Sequence, residues 1–258
     1  MIKPTVNDII CLLKELGLKK GDTVLIHSNI ATLGKVENGL EGIFSSLCET
    51  LGTNGTLVVP TYTFSFCNNK VFNVQKSKSA NGVLTEYIRK ILGAHRSLHG
   101  IESFASIGKN AKSLMLINDN TCYGPGSVPS NLINFDCKIL QIGVPVISHV
   151  HYVERLVGVE YRFDKTFSGI IQNKNIKTEN SFSLYVRRND RIVEKTINND
   201  VRREFFASEF CKEIQYAYGI HRLFKVKDYV AFTIEKLKND PLCLINKDLY
   251  LMNNVKSN

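Results

Sequence analysis

The chain predicts an α/β fold: a layered α/β/α domain with a mixed sheet, extended at its C-terminal end by a β-hairpin and helices. Three observations carry this. Short apolar runs alternate with amphipathic stretches over the first 150 residues, as they do where helices cover a sheet. The runs end in polar residues or proline, as buried strands do on leaving a sheet. Beyond residue 165 the pattern turns to two-residue alternation in two arms about Asn189-Asp190, the mark of an antiparallel hairpin.

Taken in order, residues 6–17 carry apolar side chains at helical spacing and stop at Gly17. "DTVLIHS" (22–28) is an apolar run ending in polar residues, a buried strand emerging into a site. "NGLEGIFSSLCETLG" (38–52) is helical, with Asn38 as cap and Gly52 as stop. "GTLVVPTYTF" (55–64) is a second buried strand, which leaves the sheet at Pro60. "NGVLTEYIRKILG" (81–93) is a further helix, and "CKILQIGVPV" (137–146) a third strand. In the second half, "SFSLYVRRNDRIVEKTI" is expected to form the hairpin, with "DVRREFFASEFCKEIQYAYG" and "KDYVAFTIEKLKND" as amphipathic helices. No repeat, low-complexity tract or Gly/Ser linker interrupts the chain, so residues 1–258 read as one domain.

With 43% hydrophobic and 22% charged residues, the composition is globular and excludes disordered and collagen-like classes. No stretch nears the roughly 18 consecutive apolar residues of a membrane span. The N-terminal apolar residues are interrupted by charges, unlike a signal peptide. Seven scattered cysteines without a Cys-x-x-Cys pair argue against a disulfide framework or zinc ribbon, and for a reducing cytoplasm. The net charge is +9, with 14 bases against 10 acids up to residue 150 and 19 against 14 beyond it. The densest basic cluster, "YVRRNDRIVEK" (185–195), is broken by acids. Charge spread in this way suits small anionic ligands at least as well as a polyanion. The aromatic-basic interleaving of RNA-binding modules is missing, so neither nucleic acid nor membrane is an expected partner.

The stretch "SHVHYVER" (148–155) gathers two histidines, a glutamate and an arginine. In a strand, His149 and His151 would share a face and, with Glu154, resemble the ligands of a metal hydrolase. On a helix they point apart, and His151 and Glu154 share a face instead. His151, Glu154, Leu156 and Val157 fall at helical spacing just after the third strand, so a short helix capped by Ser148 is expected. No third ligand candidate lies nearby at ligand spacing, and no metal site is expected. The pair is then either a base with its carboxylate or an ordinary ion pair on a helix face.

Several segments, in order, resemble one family. "GDTVLIHSNI" (21–30), "GTLVVPTYTF" (55–64), "GAHRSLHGIESFASIG" (93–108), "YGPGSVPSNL" (123–132) and "SHVHYVER" are similar to motifs of the aminoglycoside 3-N-acetyltransferases and their relatives. The resemblance spans about residues 5–165 and is weak beyond. It implies transfer of an acyl group from acyl-CoA (acetyl-CoA or 3-hydroxybutyryl-CoA) to an amine of an amino sugar, through a ternary complex and without a covalent acyl-enzyme. It also implies His151 as general base and Glu154 as its partner or the amine's anchor. An ammonium is not nucleophilic until it loses a proton, and neutral imidazole suits that task. Arg96, Ser97 and Ser103 offer a fixed cation and hydroxyls near Gly93 and Gly100, material for a phosphate or a pantetheine amide. Ser28, at a strand end, is placed to donate to the thioester region.

The chain departs from the family pattern at His27-Ser28-Asn29, at Gly100 where proline is usual, in "NDNTCYG" and in having no tryptophan. An aminoglycoside is a polycation, which a +9 chain repels. The expected substrate is therefore a nucleotide-linked amino sugar, such as a dTDP-3-amino-3,6-dideoxyhexose for surface polysaccharide, with the aminoglycoside as the alternative. Acyl-CoA and this sugar are the expected partners, with a second copy of the chain as an option.

Overall fold

The computed structural model describes residues 2–189, 193 and 199–252. Thr5 and Asp8 close a capping box at the start of α1 (Val6–Leu16), and Gly17 ends the helix in left-handed backbone at φ 101°. The expected strand follows as β1 (Thr23–Ser28), then a single 3-10 turn (Ile30–Leu33) and α2 (Gly39–Leu51). Asn38 and Gly52 flank α2 as expected, although the Asn38 side chain makes no capping bond. β2 (Thr56–Pro60) ends on its proline. A one-turn α3 (Phe66–Asn69), β3 (Val71–Asn73), α4 (Val83–Arg89) and β4 (His95–Arg96) lead to β5 (Phe104–Gly108). α5 (Ala111–Leu114) and α6 (Val128–Asn134) precede β6 (Lys138–Ile142), which runs through a short loop into α7 (Val150–Val157). The long strands β7 (Arg162–Asn173) and β8 (Ile176–Arg187) come next. After them stand α8 (Asn199–Phe206), β9 (Lys212–Tyr216), β10 (Gly219–Lys225), α9 (Val226–Asn239) and α10 (Lys247–Met252).

Seven strands form one mixed sheet in the order β4-β5-β2-β1-β6-β10-β9. β1 is parallel to both β2 and β6, and β5, β4, β10 and β9 are added antiparallel at the flanks. Alternation along the strands sends side chains to two cores. Val24 and Ile26 pack on one face with Leu13 of α1 and Leu47 of α2. Leu25 and Ile139 pack on the other with Leu132 of α6, Val153 of α7 and Tyr229 of α9. This is the layered α/β/α architecture that the sequence predicts. A second sheet, β3-β7-β8, has its own small core of Phe66, Phe72, Ile101, Ile171 and Phe182.

Three expectations need correction. The hairpin exists, but its arms are β7 and β8 and its turn is Lys174-Asn175, with Lys174 in left-handed backbone at φ 54°. "SFSLYVR" is thus the second arm of this hairpin, and the expected turn at Asn189-Asp190 and the arm beyond it lie almost wholly outside the described residues. The long helix over 200–219 stops at Phe206, whose neighbour Phe205 is buried against Phe224, Tyr229 and Phe232. The residues after it form β9 and β10 instead, because the open edge of β6 offers β10 a full antiparallel ladder. Lastly, Ser148 is not the cap of α7: His149 occupies that position, and the Ser148 hydroxyl is engaged with His27. No helix of the described residues is long and apolar enough to cross a membrane.

Candidate active site

The chain leaves β1 to one side, through α2 into β2, and returns on the other side as β6. Such a reversal opens a crevice beyond the carboxyl ends of parallel strands. A cleft of about 670 Å³ lies there. Tyr62 reaches it from just past β2, Ser148 from just past β6, and His151 from the first turn of α7. Arg162 and Tyr185 of the second sheet and Arg202 of α8 form part of its other wall. His27, at the end of β1, stands behind Ser148 at 3.2 Å; burial, followed by the nearby His149, pushes its pKa down to about 3.

His151 and Glu154 meet as the helical spacing predicts. A carboxylate only accepts, so His151 Nδ1 donates to Glu154 Oε2, at 2.7 Å. The Tyr161 hydroxyl donates to Oε1 at 3.1 Å. Arg162 Nε lies 2.6 Å from Oε2, close enough for an ion pair though not aligned as a hydrogen bond. Burial works to raise the Glu154 carboxyl, but His151 and Arg162 together outweigh it and hold it below the usual range. Glu154 is therefore ionised and fixes the proton on Nδ1. Nε2 is left as the basic nitrogen, on a ring whose side chain is 29% exposed at the cleft wall. His149 points the other way: it is fully buried, with Nε2 donating to the Pro129 carbonyl at 3.2 Å. The two histidines share no point at which a ligand could be held.

Sequence reasoning passed over the groups opposite this pair. Tyr123 presents its ring edge-on to His151, 5.6 Å between centroids. Glu102, the one acid in the segment 93–108, is buried and lines the cleft. His99 fixes the backbone beneath it, its Nδ1 accepting from Glu102 N at 3.0 Å. A single acid with no spacing relation to His151 gives no signal in sequence. Only the pairing of β5 with β2 brings it alongside Tyr62.

Four residues are expected at the cofactor: Ser28, Arg96, Ser97 and Ser103. The described residues that line the cleft do not include Ser28, Arg96, Ser97 or Ser103. Arg96 donates to the carbonyls of Thr61, Val74 and Ser77 at 2.6–3.1 Å. Its remaining N–H groups reach the hydroxyls of Thr61, Ser103 and Thr63 at 3.0–3.2 Å. All five N–H donors are thus engaged within the protein. Ser97 Oγ accepts from Phe104 N, and Ser103 Oγ donates to the Thr61 carbonyl. Ser28, half-buried, ends β1 and shows no side-chain hydrogen bond among the described residues.

The aminoglycoside 3-N-acetyltransferase family profile matches residues 25–238. The chain belongs to the aminoglycoside 3-N-acetyltransferase family. It is 30% identical over 169 residues to aminoglycoside N(3)-acetyltransferase IX of Micromonospora chalcea, covering 57% of this chain and 60% of that one. With aminoglycoside N(3)-acetyltransferase IV of Salmonella sp it shares 25% over 246 residues, 93% of this chain and 89% of the other. Among solved structures, AAC-IIIb in binary complex with CoASH superposes with a TM-score of 0.80 at 20% identity, covering 92% and 97% of the two chains. The family match thus runs well past residue 165, into β9, β10 and α9.

These matches overturn the nucleotide-linked amino sugar as the expected substrate, since the family and both relatives are named for aminoglycosides. Net charge sums the whole surface and does not decide between the two substrates; among the described residues that line the cleft, Arg162, Arg187 and Arg202 stand beside the single acid Glu102. Lys225 and Lys227 pair with Asp136, Lys247 with Asp240 and Arg222 with Glu213, none of which lines the cleft.

Proposed function

We propose that this chain transfers the acetyl group of acetyl-CoA to an amine of an aminoglycoside, with residues 1–258 working as one N-acetyltransferase domain. The observation that carries this reading is the His151–Glu154 pair at the carboxyl end of the parallel strands, with the imidazole on the wall of a cleft of about 670 Å³. Acetyl-CoA supplies the acyl carbon as a thioester. Nε2 of His151 takes the proton from the substrate ammonium, which frees the nitrogen lone pair for attack. Glu154, held by Tyr161 and Arg162, keeps the ring oriented and stabilises the imidazolium that forms. As the C–N bond forms and the C–S bond breaks, that proton passes from Nε2 to the departing thiolate and restores the base, while the second proton, shed by the nitrogen as it becomes an amide, leaves to solvent.

Ser28 is proposed to donate to the acyl-CoA near the thioester, its hydroxyl being the one of the four left without a protein partner among the described residues. Arg96, Ser97 and Ser103 enter as a brace, which ties β4 and β5 to the segment after β2. The test is thiol release from acetyl-CoA or 3-hydroxybutyryl-CoA, each with and without an aminoglycoside. Acetyl-CoA with aminoglycoside is expected to turn over; thiol release that does not depend on the aminoglycoside overturns the reading.

A further inference from the structure

The two oxygens of Glu154 are held differently. Oε2 faces His151 Nδ1 at 2.7 Å and Arg162 Nε at 2.6 Å, while Oε1 takes a single donor among the described residues, the Tyr161 hydroxyl at 3.1 Å. Glu154 is fully buried, which leaves Oε1 no water to take that place. Tyr161, the residue before β7, and Arg162, its first, thus reach the carboxylate side by side. Tyr161 is itself fixed from two further sides. Its carbonyl accepts from Arg188 N at 3.0 Å, and its buried ring meets the buried Tyr250 of α10 edge-on at 6.3 Å. The other ionisable groups that face Glu154 are Tyr185 of β8 and Tyr229 of α9; Glu102 and Tyr123 face His151. Burial above all pushes the Tyr161, Tyr185 and Tyr229 hydroxyls up, so all three keep their protons.

A carboxylate beside an imidazole favours the imidazolium, and one left with its full charge would keep the ring protonated when it has to act as a base. A hydrogen bond to the carboxylate takes up part of that charge. We infer that Tyr161 is a positioning residue for the proposed acetyl transfer: its hydroxyl, on Glu154 Oε1, sets the pH at which His151 gives up its proton. The inference rests on His151 acting as the base. α10 belongs to the same arrangement, since Tyr250 backs the Tyr161 ring.

The experiment follows the His151 ring by NMR between pH 5 and 9, in protein labelled with nitrogen-15 at histidine, its signal identified by its loss in His151→Ala. In Tyr161→Phe the midpoint should rise by roughly 0.5–1 unit, a part of the worth of a hydrogen bond to a charged group. Thiol release from acetyl-CoA with an aminoglycoside should then fall about threefold to tenfold at pH 6 and less at pH 9, because more of the base is protonated. An unmoved or lowered midpoint overturns the inference. So does a loss of rate by one factor at every pH, the mark of a merely structural residue. Should Tyr161→Phe not fold, Tyr250→Leu decides: it should raise the midpoint by a smaller step, and no step there overturns the inference. A raised midpoint in a chain whose wild type transfers no acetyl group upholds the coupling and sinks only the transfer reading beneath it.

Discussion

Replacing His151 with alanine removes the base and leaves the scaffold around it standing. A lost general base slows the chemical step by roughly 10²–10⁴, which is about 2.7–5.4 kcal/mol of transition-state stabilisation. The fold loses one 2.7 Å hydrogen bond to a carboxylate, worth about 1.5–3 kcal/mol. The cost should sit at the low end, because Glu154 keeps the Tyr161 hydroxyl on Oε1 and Arg162 on Oε2. The variant should therefore be folded, bind acetyl-CoA as wild type does, and barely turn over. The assay is initial thiol release over pH 6–9 with saturating acetyl-CoA and aminoglycoside, beside a denaturant titration and calorimetric acetyl-CoA binding. Near wild-type turnover across that range would refute the role of His151. So would a collapse of stability matching the collapse of rate, because His151 would then be a structural residue.

Glu154→Gln should behave differently from His151→Ala. It leaves the Arg162 side chain, 9% exposed, without its countercharge, and breaking a buried pair costs about 3–5 kcal/mol. Denaturant titration of the two variants side by side checks the order. Arg96→Ala should lower stability by several kcal/mol, since three backbone carbonyls lose their donors at roughly 1–3 kcal/mol each. An Arg96→Ala protein as stable as wild type but weak in acetyl-CoA binding would instead return Arg96 to the cofactor site. Acid should also weaken the fold well before carboxylates titrate. Burial first of all pushes His27 down to about 3 and His99 and His149 to about 4, so all three stay neutral in the folded chain. Unfolded, they take protons near pH 6.5, so their contribution is present above that value and lost as pH falls towards the folded values. By pH 5.5 the loss is roughly 1 kcal/mol per histidine, about 3–4 kcal/mol for the three, and equal stability at pH 7 and 5.5 would contradict their neutral burial.

The parts legible in the sequence are those whose signal is local. α1 shows its periodicity, its cap and its terminal Gly17 within about a dozen residues. The phase of α7 alone puts His151 and Glu154 on one face. The misreadings are all cases in which a distant strand decides. "SFSLYVR" alternates equally well as either arm of a hairpin, and only pairing with Arg162–Asn173 settles which. In residues 93–108 the sequence offers a cation, hydroxyls and glycines, a combination that suits a phosphate. The structure brings the carbonyls of Thr61, Val74 and Ser77 to that cation, and it is satisfied. Gly100 reads as flexible backbone but serves as space: a Cβ there would stand 3.1 Å from the Phe182 ring and 3.2 Å from that of Phe66.

The same division between local and distant information bears on the proposed substrate. A net charge of +9 governs the approach of a polycation from afar, and at physiological ionic strength that field fades over about 8 Å. Within the cleft the nearest groups decide. Arg162 faces the opening but is tied to Glu154, which already serves His151. Glu102 is the one acid among the described residues that line the cleft, beside Arg162, Arg187 and Arg202. On the proposed reading, global repulsion therefore acts on how fast an aminoglycoside arrives, while the groups of the cleft wall, His151 among them, act on how it is held.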